Sequence, residues 1–234
     1  MNTIGRKKFN SDTVFNIVVY TIAISLAALW LYPLIYVVSA SFSAPESLLS
    51  GEVVLLPKSF NFSAYKYIFQ DSGILTGYRN TIFYSVVGTV YNMLLTICAA
   101  YPLSRPDLKG RGGLTLMMTF TMFFGGGMIP TYLNLNSLGL LNTPWVMFVP
   151  AAISVTNFII MRNYFTHSVP GELIEAAYME GATELQTLTK IVLPLSKPIL
   201  SVLSIYYMSG HWNAYFSAII YLSDEKLMPL QVFL

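Results

Sequence analysis

Charged side chains are the scarcest feature of this sequence: Lys, Arg, Asp and Glu make up 10% of its 234 residues, against about 25% in an ordinary soluble domain. With 55% hydrophobic residues and a mean hydropathy of +0.59, the chain cannot clothe a water-facing globule, which excludes an ordinary soluble enzyme. The 13 basic and 11 acidic residues leave a net charge of +2, with no basic stripe of the kind that grips phosphates, so nucleic acid is excluded as a partner. The single cysteine, Cys98, lies inside an apolar run; it can form no intrachain disulfide and belongs to no metal-binding spacing. The two histidines, His167 and His211, lie in no HExxH pattern and have no carboxylates at ligand spacing. Each reads as an interfacial or packing residue, and no metal is expected. A GxxxxGK[ST] phosphate loop is also missing, so any nucleotide chemistry must belong to another polypeptide, and no cofactor is implied.

Long uncharged runs are what the sequence has instead. Crossing about 30 Å of hydrocarbon takes about 20 helical residues, and five runs qualify, at about 14–43, 80–104, 114–133, 143–161 and 198–222. All are continuously apolar and lack the alternation of a membrane barrel strand. The fold class expected is therefore all-α, a polytopic membrane bundle forming one domain over residues 1–234. Trp30, Tyr32 and Tyr36 near the far end of the first run suit a membrane interface.

Orientation follows from the basic residues. Arg6, Lys7, Lys8, Arg105, Lys109, Arg111, Arg162, Lys190 and Lys197, nine of 13, fall on the side of the amino terminus, which places that terminus in the cytoplasm. Lys58, Lys66, Arg79 and Lys226 fall opposite, mixed with Glu46, Glu52, Asp71, Asp224 and Glu225. A cleaved leader is the competing reading of the first basic cluster, but the apolar run behind it is about twice a usual leader core. Five spans put the carboxyl end outside. An apolar segment begins at Gln231-Val232-Phe233-Leu234, so a sixth span is expected to be missing from this sequence.

Three stretches interrupt the apolar pattern. Ala44 to Arg79, with Pro45, Gly51, Pro57, Gly73 and Gly77, reads as an external loop with one short amphipathic turn near Ser63 to Phe69. Gly125-Gly126-Gly127 followed by Pro130 would weaken a helix by about 1 kcal/mol per glycine and about 3 for the proline, so the third run contains either a packing notch or a discontinuous helix. The segment 163–193 is the most polar. Pro170 starts a short helix over about Gly171 to Met179, and Leu173, Ala176, Ala177 and Glu180 are expected on one face. Gly181 ends it, and Thr183 with Gln186 forms a capping box for a second helix. Glu172, Glu175, Glu180 and Glu184 can be a solvated acidic face, but these two helices have little of their own to pack upon, which points to a partner protein. Pro194 and Pro198 turn the chain back into the membrane.

Glu175-Ala176-Ala177, three residues, Gly181, nine residues, Ile191, one residue, Leu193 and Pro194 resemble the EAA loop of ABC importer permeases at every fixed position. Glu180 replaces the aspartate usual before the glycine. Gly88-Thr89, the run Ala100 to Arg105 with Lys109-Gly110-Arg111 behind it, Met128-Ile129-Pro130 and His211-Trp212-Asn213 extend the resemblance to the carbohydrate-uptake branch. Residues 126–132 and the loop Leu138 to Thr143 resemble most the permeases for alginate and pectin fragments.

The resemblance implies a transport subunit without catalytic residues in a bacterial cytoplasmic membrane. It implies a homologous second permease, two ATP-binding subunits, an extracytoplasmic solute-binding protein and a sugar or oligosaccharide substrate; a non-sugar solute is the alternative. It also implies that Glu175, Ala176, Ala177, Gly181, Ile191, Leu193 and Pro194 couple the chain to the ATPase, Glu175 as charged anchor and the alanines as small residues permitting close approach. Sugar sites combine aromatic faces with amide or hydroxyl groups. Trp212, Asn213 and Tyr215, with Tyr91 and Asn92, offer both within uncharged runs and are the candidates for the substrate path.

Overall fold

The computed structural model describes residues 11–234, so Arg6, Lys7 and Lys8 lie outside the described residues. Among these residues there are helices and turns, with no strand beyond one isolated bridge between Ser43 and Phe60. Two compact units are present, the first ending at Asp71 and the second spanning Ser72–Leu234.

The first unit is built on α1 (Ser11–Ser41), which is long and apolar enough to cross a membrane. Its side chains are exposed from Asp12 to Ile35, as suits a helix whose solvent is lipid. The loop that follows folds against its end. Ser39 Oγ donates to Leu55 O at 2.6 Å, Lys58 N donates to Ser43 Oγ at 3.1 Å, and Tyr65 Oη bonds Ser41 Oγ at 2.9 Å. The Phe42 ring lies 5.4 to 6.4 Å from those of Phe60, Phe62 and Tyr65. Two short helices, α2 (Pro45–Leu49) and α3 (Ser63–Gln70), complete this unit.

In the second unit α4 (Ser72–Ser104) is the axis, packed by the helices over Val155–His167 and Lys197–Trp212 along its length and by the carboxyl-terminal segment at its start. It begins eight residues before the expected 80. Gly73 and Gly77 read as loop residues, yet Gly77 is buried where a β-carbon would stand 3.0 Å from Leu230 Cα. That glycine serves close backbone approach rather than a turn. Around it Leu230 N donates to Thr81 Oγ1 at 2.8 Å, Asn80 Nδ2 to the Lys226 and Met228 carbonyls, and Tyr84 Oη to Leu227 O.

The third run is two helices, α5 (Arg111–Phe123) and α6 (Met128–Ser137), bent by 113° at the glycines. Gly127 has φ +84°, and a β-carbon at Gly125 or Gly127 would meet no other described group of this chain within 4 Å, so within this chain the triplet acts as a break. Pro130 sits in the first turn of α6, where its missing N–H is an orphan anyway.

The fourth run differs most. Only a short 3-10 turn, Pro144–Met147, precedes an irregular stretch, and α7 runs Val155–His167, later than expected and about 20 Å long at 1.5 Å per residue. The polar segment gives α8 (Gly171–Met179), α9 (Glu184–Thr187), one π turn and α10 (Leu193–Leu195). An 83° bend at Ser196 leads into α11 (Lys197–Trp212), and Asn213-Ala214 separates α12 (Tyr215–Tyr221) from it. The short α13 (Leu230–Phe233) lies on α4.

Among the described residues two helices are individually long and apolar enough to span a membrane, or up to four spans if each bent pair counts as one. The fourth run is not among them. Apolar cores sit at both ends of the second unit: one around Phe158, Met161 and Leu203, the other around Tyr84, Val146 and Phe148.

Candidate functional site

The polar segment reproduces its sequence signals residue for residue. Ala182 N donates to Ala177 O at 2.9 Å and Gly181 N to Tyr178 O at 3.0 Å, the paired bonds that close a helix with a left-handed residue. Gly181 supplies that residue at φ +80°. Two residues on, Thr183 Oγ1 accepts from Gln186 N while Gln186 Oε1 accepts from Thr183 N, a complete capping box. The chain thus leaves α8 and enters α9 through a corner whose backbone donors and acceptors are satisfied locally.

The faces of α8 differ from the expectation. Ile174 and Ala177 are buried, and Ile174 joins Val169, Phe165 and Val192, so the helix does pack on its own chain. Leu173, Ala176 and Met179 face outward with Glu172 and Glu175. Ala177 is therefore spent on internal packing and Ala176 is the small outward residue. Glu175 is exposed and, among the described residues, has no ion-pair or hydrogen-bond partner. It borders a hollow of about 310 Å³ that Arg105 and Arg111 also line. Ile191 and Leu193 are half-buried and Pro194 is exposed.

A second polar group ties this corner to α4. Glu184 Oε2 accepts from Tyr101 Oη at 2.8 Å and Glu184 Oε1 from Tyr178 Oη at 2.7 Å. The Arg105 guanidinium lies 5.5 Å from the Tyr178 ring centre and pairs with Asp107 at 3.5 Å. Burial, with the hydrogen bond to Glu184, pushes the Tyr178 phenol above its ordinary value, so it stays protonated and donating at neutral pH. Sequence reading missed this group, since Tyr101 and Glu184 are 83 positions apart.

Within the apolar part, Asn92 is fully buried. Its Nδ2 donates to Ala151 O and Ala152 O at 2.8 and 2.7 Å, and its Oδ1 lies 2.6 Å from His211 Nε2. Because the amide nitrogen is spent on two carbonyls, Oδ1 must accept, and the imidazole therefore carries its proton on Nε2. Thr96 Oγ1 donates to Asn92 O, Tyr207 Oη bonds Thr96 Oγ1 at 2.7 Å, and Ser154 N donates to Tyr207 Oη. These side chains satisfy the irregular backbone before α7, the condition for non-helical chain at membrane depth.

The path candidates sit in different surroundings. Asn92 has both its side-chain polar atoms in hydrogen bonds, and Tyr91 is half-buried with its ring 5.7 Å from Phe148. Trp212 is half-buried. Asn213 is exposed with its amide on Ser209 O, and Tyr215 is exposed beside Phe216. A hollow of about 360 Å³ lies beside His211, lined by the candidate Asn92 and also by Asn157, Tyr206 and Ser217.

Residues 72–232, the second unit almost entire, match the family described as the binding-protein-dependent transport system inner membrane component. The polygalacturonan/rhamnogalacturonan transport system permease protein YtcP of Bacillus subtilis (strain 168) is 40% identical over 95% of this chain and 78% of its own. Protein LplC of the same organism is 39% identical over 89% and 70%. A permease chain in the crystal structure of a bacterial ABC transporter involved in the import of the acidic polysaccharide alginate superposes with a TM-score of 0.91 at 39% identity, covering 99% of this chain and 81% of that one. The apolar helices, the glycine corner of α8–α9 and these likenesses agree, and the chain belongs to the family of inner-membrane permease components of binding-protein-dependent ABC transport systems, a transport subunit and not an enzyme.

Proposed function

We propose that this chain forms part of the translocation path for an oligosaccharide, of the acidic class that the relatives' names describe, in an importer powered by separate ATPase subunits. The carrying observation is α8: an outward face of Leu173, Ala176 and Met179 around an unpartnered Glu175, presented by a backbone-satisfied corner at Gly181. Such a helix fits a groove on a partner, and ATP-driven closure of that partner would move the attached helices as rigid bodies. A homologous second permease, a pair of ATP-binding subunits and an external solute-binding protein complete the assembly in this reading.

The α8 end of the second unit is then cytoplasmic, as is the amino terminus. Arg105, Lys109, Arg111, Lys190 and Lys197 belong to α4's outgoing loop, the start of α5 and the segment from α9 to α11, in keeping with a positive cytoplasmic side. With Cys98 replaced, a cysteine at 224 is expected to react with an impermeant maleimide in intact cells and one at 175 only after permeabilisation. The opposite pattern would reverse the orientation.

Glu175→Ala is expected to weaken ATPase binding by about 1.5 to 3 kcal/mol, the worth of a charge-assisted bond, without affecting membrane insertion. Retention of ATPase subunits through purification measures this; wild-type retention would remove Glu175 as anchor. The substrate class is tested in liposomes holding the full complex. Oligogalacturonate with binding protein should stimulate ATP hydrolysis where a dipeptide does not, and the reverse would support a non-sugar solute.

A further inference from the structure

The corner between α8 and α9 touches the rest of the chain through two kinds of contact. Ile174 and Ala177 supply apolar packing, which is non-directional and lets a helix slide. The bonds from Tyr101 and Tyr178 to Glu184 are directional, and each uses a different carboxylate oxygen. Charge on the acceptor makes them stronger than neutral hydrogen bonds.

Three elements meet there. Tyr101 is one turn from the end of α4, Tyr178 is in the last turn of α8, and Glu184 opens α9. Glu184 thus closes a loop around the Gly181 corner and fastens it to α4 in one step. Arg105, one turn beyond Tyr101, covers the Tyr178 ring from the same side, a contact that adds to the grip. At mid-length α4 is in turn fixed to α11 and the stretch before α7 by Asn92, Thr96, His211 and Tyr207. A continuous series of directional bonds therefore runs from the outward helix α8 into the helices of the membrane path.

We propose that Tyr101, Tyr178 and Glu184 form a strut that transmits movement of α8 to α4. The three are positioning residues: they touch neither sugar nor nucleotide and act by keeping α4 in register with the ATPase-driven helix. The proposal rests on the reading of α8 as the ATPase contact. Fold maintenance alone does not require the strut, since the apolar cluster around Phe158, Met161, Ile174 and Val192 already holds this end together, and Glu184 is exposed.

The test uses the complete transporter in liposomes with its binding protein, comparing wild type with Tyr101→Phe, Glu184→Ala, Glu184→Gln and the Tyr101→Phe/Glu184→Ala pair. Three quantities are read: ATPase subunits retained, ATP hydrolysed, and sugar imported per ATP. Glu184→Ala removes both bonds and is expected to retain its ATPase subunits but to import at least about tenfold less sugar per ATP, the scale of a lost charge-assisted bond. Glu184→Gln keeps an acceptor oxygen and should fall between. The pair should be no worse than Glu184→Ala alone, since the bond that Tyr101→Phe deletes is already lost in Glu184→Ala. Tyr101→Phe deletes a single hydroxyl and reports on the strut even where Glu184→Ala yields too little protein.

Wild-type sugar per ATP in Tyr101→Phe overturns the strut. Loss of ATPase subunits by Glu184→Ala to the level of Glu175→Ala also overturns it, because Glu184 would then be a docking residue. If Glu175→Ala keeps its ATPase subunits while Tyr101→Phe is uncoupled, the docking role of Glu175 fails and the strut stands.

Discussion

Gly88→Ala is expected to destabilise the assembled permease by about 1 to 3 kcal/mol, the usual cost of forcing a methyl group into a packed interior. A β-carbon at Gly88 would lie 2.7 Å from His211 Nε2, 2.8 Å from Cε1 and 2.9 Å from Cδ2, well inside contact distance. The ring cannot swing away cheaply. Its Nε2 is held by Asn92 Oδ1, and Asn92 is held by the carbonyls of Ala151 and Ala152. Displacing the imidazole would leave buried polar groups unpaired, at about 1 to 3 kcal/mol more. Thermal melting of the purified complex measures the effect, with Gly112→Ala as control because that position in α5 has open space around it. Adding His211→Ala should remove the clash, so the double variant should be less impaired than the sum of its parts. A Gly88→Ala protein as stable as the Gly112→Ala control would show that the imidazole yields freely and that α4 and α11 are not locked there.

That lock also marks where sequence reading stops. The α8–α9 corner was legible because all its signals are local: Pro170 before the first turn, Gly181 at the stop, and Thr183 three residues before Gln186. The break between α5 and α6 was legible for the same reason, since three glycines in a row forfeit helix stability whatever surrounds them. Residues 143–161 were not legible. Uniformly apolar composition cannot separate a span from a buried irregular stretch, and what permits the irregular backbone is Asn92, 59 positions away from Ala151. Gly77 misled in the opposite direction, since a glycine that admits Leu230 looks the same in sequence as one that ends a loop. The candidate path residues show the limit most clearly. Residue type identified Asn92 as able to bond a sugar hydroxyl, but whether its amide is free depends on neighbours that only folding supplies.

Gly181→Val is expected to abolish most transport, and Gly181→Ala to reduce it, with both proteins still inserted. The reason is backbone conformation rather than space. Gly181 sits at φ +80°, and a β-carbon there would meet nothing within 4 Å of this chain, so any penalty arises from the left-handed geometry itself, about 1 to 2 kcal/mol for a residue with a β-carbon. Valine is worse than alanine because branching makes positive φ a steric outlier. The strain has an obvious release, which is to let the corner unwind. Unwinding would break the bonds of Ala182 N to Ala177 O and Gly181 N to Tyr178 O and carry Tyr178 and Glu184 apart, so α8 would lose both its aim and its tie to α4. Sugar uptake and binding-protein-stimulated ATP hydrolysis, measured at matched membrane levels, should therefore fall together in the order glycine, alanine, valine. Gly110 provides the comparison, since it is also left-handed at φ +82° with open space around it but lies in the loop before α5 and takes no part in the α8–α9 turn itself. Gly110→Val should pay the same conformational cost with a smaller loss of coupling, and equal losses at the two positions would show that strain in general, not the placement of α8, sets the defect.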